Sequence, residues 1–180
     1  MTPRNPKRTL IATTAVLALA APVGGALAEG EPAGDYAKAE MMDPDGDRVG
    51  TVTVEATPSG ELIVSAVFEG MPPGNHAFHI HETGACSPDF SAAGGHFAPR
   101  GKDHGVLSED GPHAGDLPNV EIPPSGAKEI QHFVRGVTLS GEGEAVLLDD
   151  DGAAFVVHAG PEDDETEPAG GGGGRSAGGV

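Results

Sequence analysis

The sequence predicts an all-β fold: an antiparallel barrel or sandwich of about eight strands, broken by one long metal-binding loop. Three observations carry this prediction. Aromatic residues make up only 4% of the chain, while Gly and Pro number 29 and 16 in 180 residues. No segment keeps a helical apolar period for three turns. Short stretches instead alternate apolar and polar residues, separated by turn-rich pieces such as DPDGD, SGEG and DDDG.

The first 28 residues stand apart from the fold. Arg4, Lys7 and Arg8 precede the apolar run TLIATTAVLALA, and Ala26-Leu27-Ala28 supplies a small-residue cleavage site. Residues 1–28 therefore read as a secretory signal peptide, which predicts a secreted protein, extracellular or in the cell-envelope space. Pro22, Gly24 and Gly25 interrupt the run, so no membrane span is expected once it is removed. Removal takes three of the ten Lys and Arg and none of the 28 Asp and Glu, leaving a net −21 on 152 residues. Such a charge excludes nucleic acid and anionic membrane surfaces as partners. Residues 29–35 read as an N-terminal linker, and residues 36–180 as one domain long enough to bury a core.

The strands follow in order. Tyr36–Met42 is the first candidate. Val49–Ala56 (VGTVTVEA) sets Val49, Thr51 and Thr53 on one face against Gly50, Val52 and Val54 on the other. The turn signal PSG then leads into ELIVSAVF, Glu61–Phe68, which predicts a hairpin. His76–His81, Glu129–Val134, Gly136–Ser140, Glu144–Leu148 and Ala153–His158 complete the set. Between Glu82 and Pro118 there is no strand pattern, and a loop of that length in a compact domain is functional or disordered. From Ala159 onward the chain is acidic and then glycine-rich, a composition that reads as a flexible end.

Parity sorts the first histidines. His76 shares a strand face with Phe78 and Ile80, so it is expected to be a hydrogen-bonded packing residue. His79 and His81 share the other face, where two imidazoles at i and i+2 are placed to grip one metal ion. The long loop adds His96, His104 and His113, with Asp116 three residues later, and three histidines with an aspartate make an ordinary zinc shell. His158 closes the segment AAFVVH. These seven residues exceed the needs of one tetrahedral site, so two metals are expected, with one histidine able to bridge them through its two nitrogens. His132, alone, reads as a solvated polar residue. Cys86 is the only cysteine, so it either pairs between molecules or stays free.

The stretches HAFHIH, GGHFAP, HGVLSEDGPHAGDLPN and VVHAGPEDD resemble the Cu/Zn superoxide dismutase family, over a span from Tyr36 to Val180. The resemblance implies a Greek-key β-barrel that converts superoxide anion to oxygen and hydrogen peroxide. It implies copper on His79, His81, His96 and His158, and zinc on His96, His104, His113 and Asp116. His96 is then the shared ligand, whose bridging nitrogen releases copper and carries a proton in the reduced state. Arg175 aligns with the arginine that orients the substrate, and the glycine run before it then reads as the end of a loop leading into a last strand. In so acidic a chain, Lys102 and Arg100 are expected to be the further steering cations. Glu162, followed by Asp163, aligns with the carboxylate that joins one histidine of each site.

The chain also departs from the pattern. RSAGGV places Gly178 where the family has the cysteine that bonds to Cys86, so Cys86 has lost its partner. The apolar final strand of the family is lacking, which predicts an open sheet edge. Cys86 and that edge are the two expected routes to a homodimer. The alternative function is a non-catalytic secreted copper- and zinc-binding protein of the same fold.

Overall fold

Alternating sequence becomes paired strands wherever one face can be buried. The computed structural model describes residues 35–180, and the predicted signal peptide and all but the last residue of the linker lie outside this span. The strands are β1 Tyr36–Met42, β2 Arg48–Ala56, β3 Leu62–Phe68, β4 Gly74–His81, β5 Asp116–Ile122, β6 Lys128–Val134, β7 Ala154–His158 and β8 Arg175–Gly179. All ladders are antiparallel, in the order β5-β4-β7-β8-β1-β2-β3-β6. Chain order and sheet order differ at β3 to β4 and at β6 to β7, as in Greek-key connections. The sheet curls into a nearly closed barrel, whose end strands β5 and β6 meet without a ladder. None of the helices among the described residues is long and apolar enough to cross a membrane.

The predicted hairpin is β2–β3, with Val52 opposite Ala66 and Val54 opposite Val64. Its turn is closed by Gly60 N–H donating to the Thr57 carbonyl at 3.0 Å, with Gly60 at φ +82°. Val52, Val54, Val64 and Phe68 face inward and are buried, while Thr51 and Thr53 are half-buried. Phe78 of β4 anchors the core: Phe68 meets it edge-on and Phe155 stacks on it, each with ring centres 5.7 Å apart.

Four expectations need correction. Gly136–Ser140 and Glu144–Leu148 are not strands but a loop, joined by an isolated bridge between Thr138 and Val146. Val137, Leu139, Ala145, Val146 and Leu147 are nevertheless buried. Their alternation marks side chains that cover the barrel's interior, and alternation alone cannot distinguish covering from pairing. Second, the strand-free interval ends at Asp116, because β5 begins inside it. Pro118 disguised that strand, and a strand with only one neighbour tolerates proline.

Third, the glycine-rich end is not the flexible end its composition suggests but, as the family resemblance implies, a loop leading into a last strand. Gly160 N–H bonds to Gly172 O and Ala159 N–H to Gly174 O, closing a loop that leads into β8. Fourth, the edge expected to stand open there is filled. β8 pairs with β7 along four positions and reaches β1 through Met42 and Gly178. Glycine suits this strand because a Cβ at Gly179 would lie 2.5 Å from Glu40 O.

Candidate metal centre

β4 delivers the first donors. His79 pairs with Val156 of β7 and His81 with Ala154, so both rings leave the same side of the sheet. The loop after β4 folds back along it: His96 forms a bridge with His81, and Phe97 N–H donates to Ile80 O at 2.9 Å. Gly115 N–H then bonds to Phe97 O, also at 2.9 Å, which returns the chain to β5 and Asp116. A Cβ at Gly115 would stand 2.3 Å from Ile80 O, so only glycine allows this closeness. Phe97 is buried in the core and pins the loop from below.

Two four-residue groups result, each with one donor atom per residue and all donors within 4.8 Å of one another: His79, His81, His96 and His158, and His96, His104, His113 and Asp116. In the first group, Nδ1 of His79 and Nε2 of His81, His96 and His158 are buried without hydrogen-bond partners. Four converging orphan nitrogens are costly unless a cation takes them, so this donor set fits a bound metal ion. In the second group, Nδ1 of His96, His104 and His113 lie 2.8, 3.2 and 3.3 Å from Asp116 Oδ1. That set of three nitrogens and one oxygen fits zinc chemistry. His96 offers Nε2 to one group and Nδ1 to the other.

The remaining ring nitrogens are held by the surrounding chain. His81 Nδ1 donates to Gly94 O at 3.1 Å and His158 Nδ1 to Gly173 O at 3.2 Å, which fixes both tautomers with Nε2 free. Glu162 Oε2 lies 3.2 Å from His79 Nε2 and 2.5 Å from His104 Nε2, so one carboxylate joins the two groups. Asp163, its alternative, instead accepts from Thr166 N–H and Oγ1 on the surface. Asp116 Oδ2 accepts from the backbone N–H of Gly105 and His113 at 2.9 and 3.0 Å. Burial opposes charge on Asp116, but the His96 hydrogen bond, the Gly105 N–H and the nearby His104 and His113 hold its carboxyl well below the usual carboxylate range. His76 bridges carbonyls, with Nδ1 2.7 Å from His158 O and Nε2 2.9 Å from Pro72 O.

A cleft of about 270 Å³ opens over the first group, lined by His81, His96, His113, His158, Pro168, Ala169, Gly95 and Arg175. β8 registers Arg175 opposite His158, and its guanidinium donates to the carbonyls of Phe90 and Gly94. Among the described residues, Arg175 is the only Lys or Arg in that lining. Arg100 and Lys102, expected as further steering cations, line a second cavity that adjoins this cleft at His113. Sequence reasoning missed Gly105, whose Cβ would meet Asp164 O at 1.9 Å. It also missed Glu167, whose carboxylate accepts from His104 N–H. Both join the metal loop to the segment before β8, and neither shows a signal beyond composition. Cys86 lies beside Gly178: a Cβ built there would be 3.1 Å from Cys86 Sγ.

The family model for copper/zinc superoxide dismutase matches residues 48–180. A protein named superoxide dismutase [Cu-Zn] 2, from Aquifex aeolicus, is 42% identical over 68% of this chain and 72% of its own length. A double mutant of a superoxide dismutase-like protein from Bacillus subtilis superposes with a TM-score of 0.76 at 34% identity, covering 79% of this chain and 94% of that one. The Cu/Zn superoxide dismutase of Brucella abortus does so with a TM-score of 0.63 at 30% identity, covering 81% and 99%.

Proposed function

The chain belongs to the copper/zinc superoxide dismutase family, and we propose that it converts two superoxide anions and two protons to oxygen and hydrogen peroxide. The donor sets described above suit the family's two cofactors. His79, His81, His96 and His158 would hold copper, and His96, His104, His113 and Asp116 would hold zinc. When bound, copper supplies the chemistry by accepting an electron from one superoxide and giving it to the next.

The chain's own residues do the rest. Arg175, fixed by two backbone carbonyls, presents its remaining N–H groups to an anion entering the cleft. His96 Nε2, orphaned in the first group, takes up and releases one of the two protons. Glu162 and the Gly94 and Gly173 carbonyls keep the rings in place throughout. Residues 1–28 would direct the protein out of the cytoplasm.

The observation that carries this reading is the meeting of four partnerless ring nitrogens with Arg175 in one cleft. The test replaces Arg175 with alanine in the copper- and zinc-loaded protein. Dismutation is expected to fall roughly tenfold or more, the scale of losing an oriented donor beside the reacting charge, with metal content unchanged. The second reading, metal binding without turnover, is favoured by the vacant disulfide position at Gly178. It predicts no dismutation by the loaded protein, and so no effect of Arg175→Ala.

A further inference from the structure

Beside the seam where β5 and β6 meet lies a second cavity, of about 620 Å³. That volume is in the range of small-molecule sites. Its character contrasts with the rest of the molecule. Of the seven Lys and Arg in residues 35–180, three line it: Arg100, Lys102 and Arg135. Among the described residues, Asp116 is the only Asp or Glu in its lining, and both its oxygens are already engaged. In a chain of net charge −18, this is a concentration of positive charge that attracts anions.

The cations are unequally committed. Arg135 Nε pairs with Glu61 at 2.7 Å, and Arg100 gives one N–H to Gly136 O at 2.8 Å. Lys102 is exposed and, among the described residues, takes part in none of the lysine and arginine ion pairs. Beside them the cavity is apolar: Phe133 of β6 is 62% exposed and Val106 of the metal loop 66%. Two large apolar side chains left in water beside an uncommitted Lys102 and a partly committed Arg100 favour a ligand with both an apolar body and a negative group. His132 forms part of the wall. Burial lowers its pKa from the ordinary 6.5, so its charged form is disfavoured there.

We propose that this cavity is a binding site for a small aromatic carboxylate, its carboxylate on Lys102 and Arg100 and its ring against Phe133 and Val106. The cavity adjoins the cleft holding Arg175 at His113, which lines both, but the carboxylate is held by cations outside that cleft and its binding does not depend on dismutation.

Ligand-observed saturation-transfer NMR tests this on the protein loaded with copper and zinc and reduced to Cu(I). Benzoate is the probe, benzyl alcohol its uncharged control and acetate its control without a ring. Transfer to benzoate is expected to exceed either control by about fivefold or more, since both charge and apolar area contribute. It should fall by a similar factor in Lys102→Glu and in Phe133→Ser, persist in Lys102→Arg, and be unchanged in Arg175→Ala. Both exposed-site variants should keep their metal content, which shows that they fold. Equal transfer to all three probes would overturn the proposal, as would benzoate binding that survives Lys102→Glu and Phe133→Ser. Loss of binding in Arg175→Ala would place the anion in the metal cleft and also overturn it. So would sedimentation showing a dimer that Phe133→Ser dissociates, because the patch would then be an interface between copies.

Discussion

Glu162 shows how much a single side chain organises. Its carboxylate is buried and contacts His79 of one donor group and His104 of the other. Replacing it with glutamine keeps the volume but removes the charge that orients both rings. Metal affinity should drop about 10–100-fold at both sites, the usual cost of losing an outer-shell partner, as read by chelator competition. A loss at one site only would mean that the carboxylate serves a single ring.

The same burial gives the metal-free protein a marked pH response. Desolvation, with the neighbouring histidines, pushes His79 down to about 2 and His81 to about 3. In the unfolded chain these rings titrate near 6.5, so below that pH the unfolded state binds protons that the folded state refuses. Their contribution to stability is complete above pH 6.5 and shrinks as the pH falls toward 3. Melting of the metal-free protein between pH 8 and 4 should show Tm falling below about pH 6.5. A flat profile would contradict the burial of these rings.

At the scale of elements, β8 decides whether Arg175 stays in place. It lies between β7 and β1, yet touches β1 at a single register pair, Met42 with Gly178. The loop that carries Cys86 and the short helical turn Phe90–Ala93 is tied to β8 through the two carbonyls that Arg175 holds. No covalent link reinforces this contact, although the geometry for one persists. In a disulfide, one sulfur stands about 3 Å from the partner's Cβ, and a Cβ at Gly178 would be 3.1 Å from Cys86 Sγ. Gly178→Cys should therefore form the bridge once Phe90, 2.9 Å from the same point, turns aside. Under oxidising conditions the variant should gain about 2–4 kcal/mol, read from denaturant midpoints with and without reductant. Failure to oxidise would mean that the two segments are further apart in solution.

Charge acts across the whole molecule. The chain carries a net −18, its substrate under the proposed reaction is an anion, and among the described residues Arg175 is the only Lys or Arg lining the cleft. Long-range repulsion and local attraction then oppose each other, and salt screens the longer-ranged effect first. The dismutation rate should stay level or rise as ionic strength increases from low to physiological values. A steep fall would show that attractive steering dominates despite the net charge. Arg100 and Lys102, expected to add to the steering, line instead the second cavity together with Arg135, on the His113 and Asp116 side of the metal centre.

The sequence by itself determined the all-β class, the β2–β3 hairpin and the separation of His76 from His79 and His81, because strand side chains alternate with period two. The number of histidines likewise pointed to two metals, and the family resemblance divided them into two donor groups. Only the tertiary structure decided the rest. Pairing is a relation between distant segments, so β5 with its proline and β8 with its glycines carry no local strand signal, while the loop from Gly136 to Leu148 carries one without pairing. Which carboxylate joins the two groups depended on whether Glu162 or Asp163 turns inward, a choice made by packing against Asn119 and Gly170. Where Arg100 and Lys102 point was decided in the same way, by the fold of the loop that carries them.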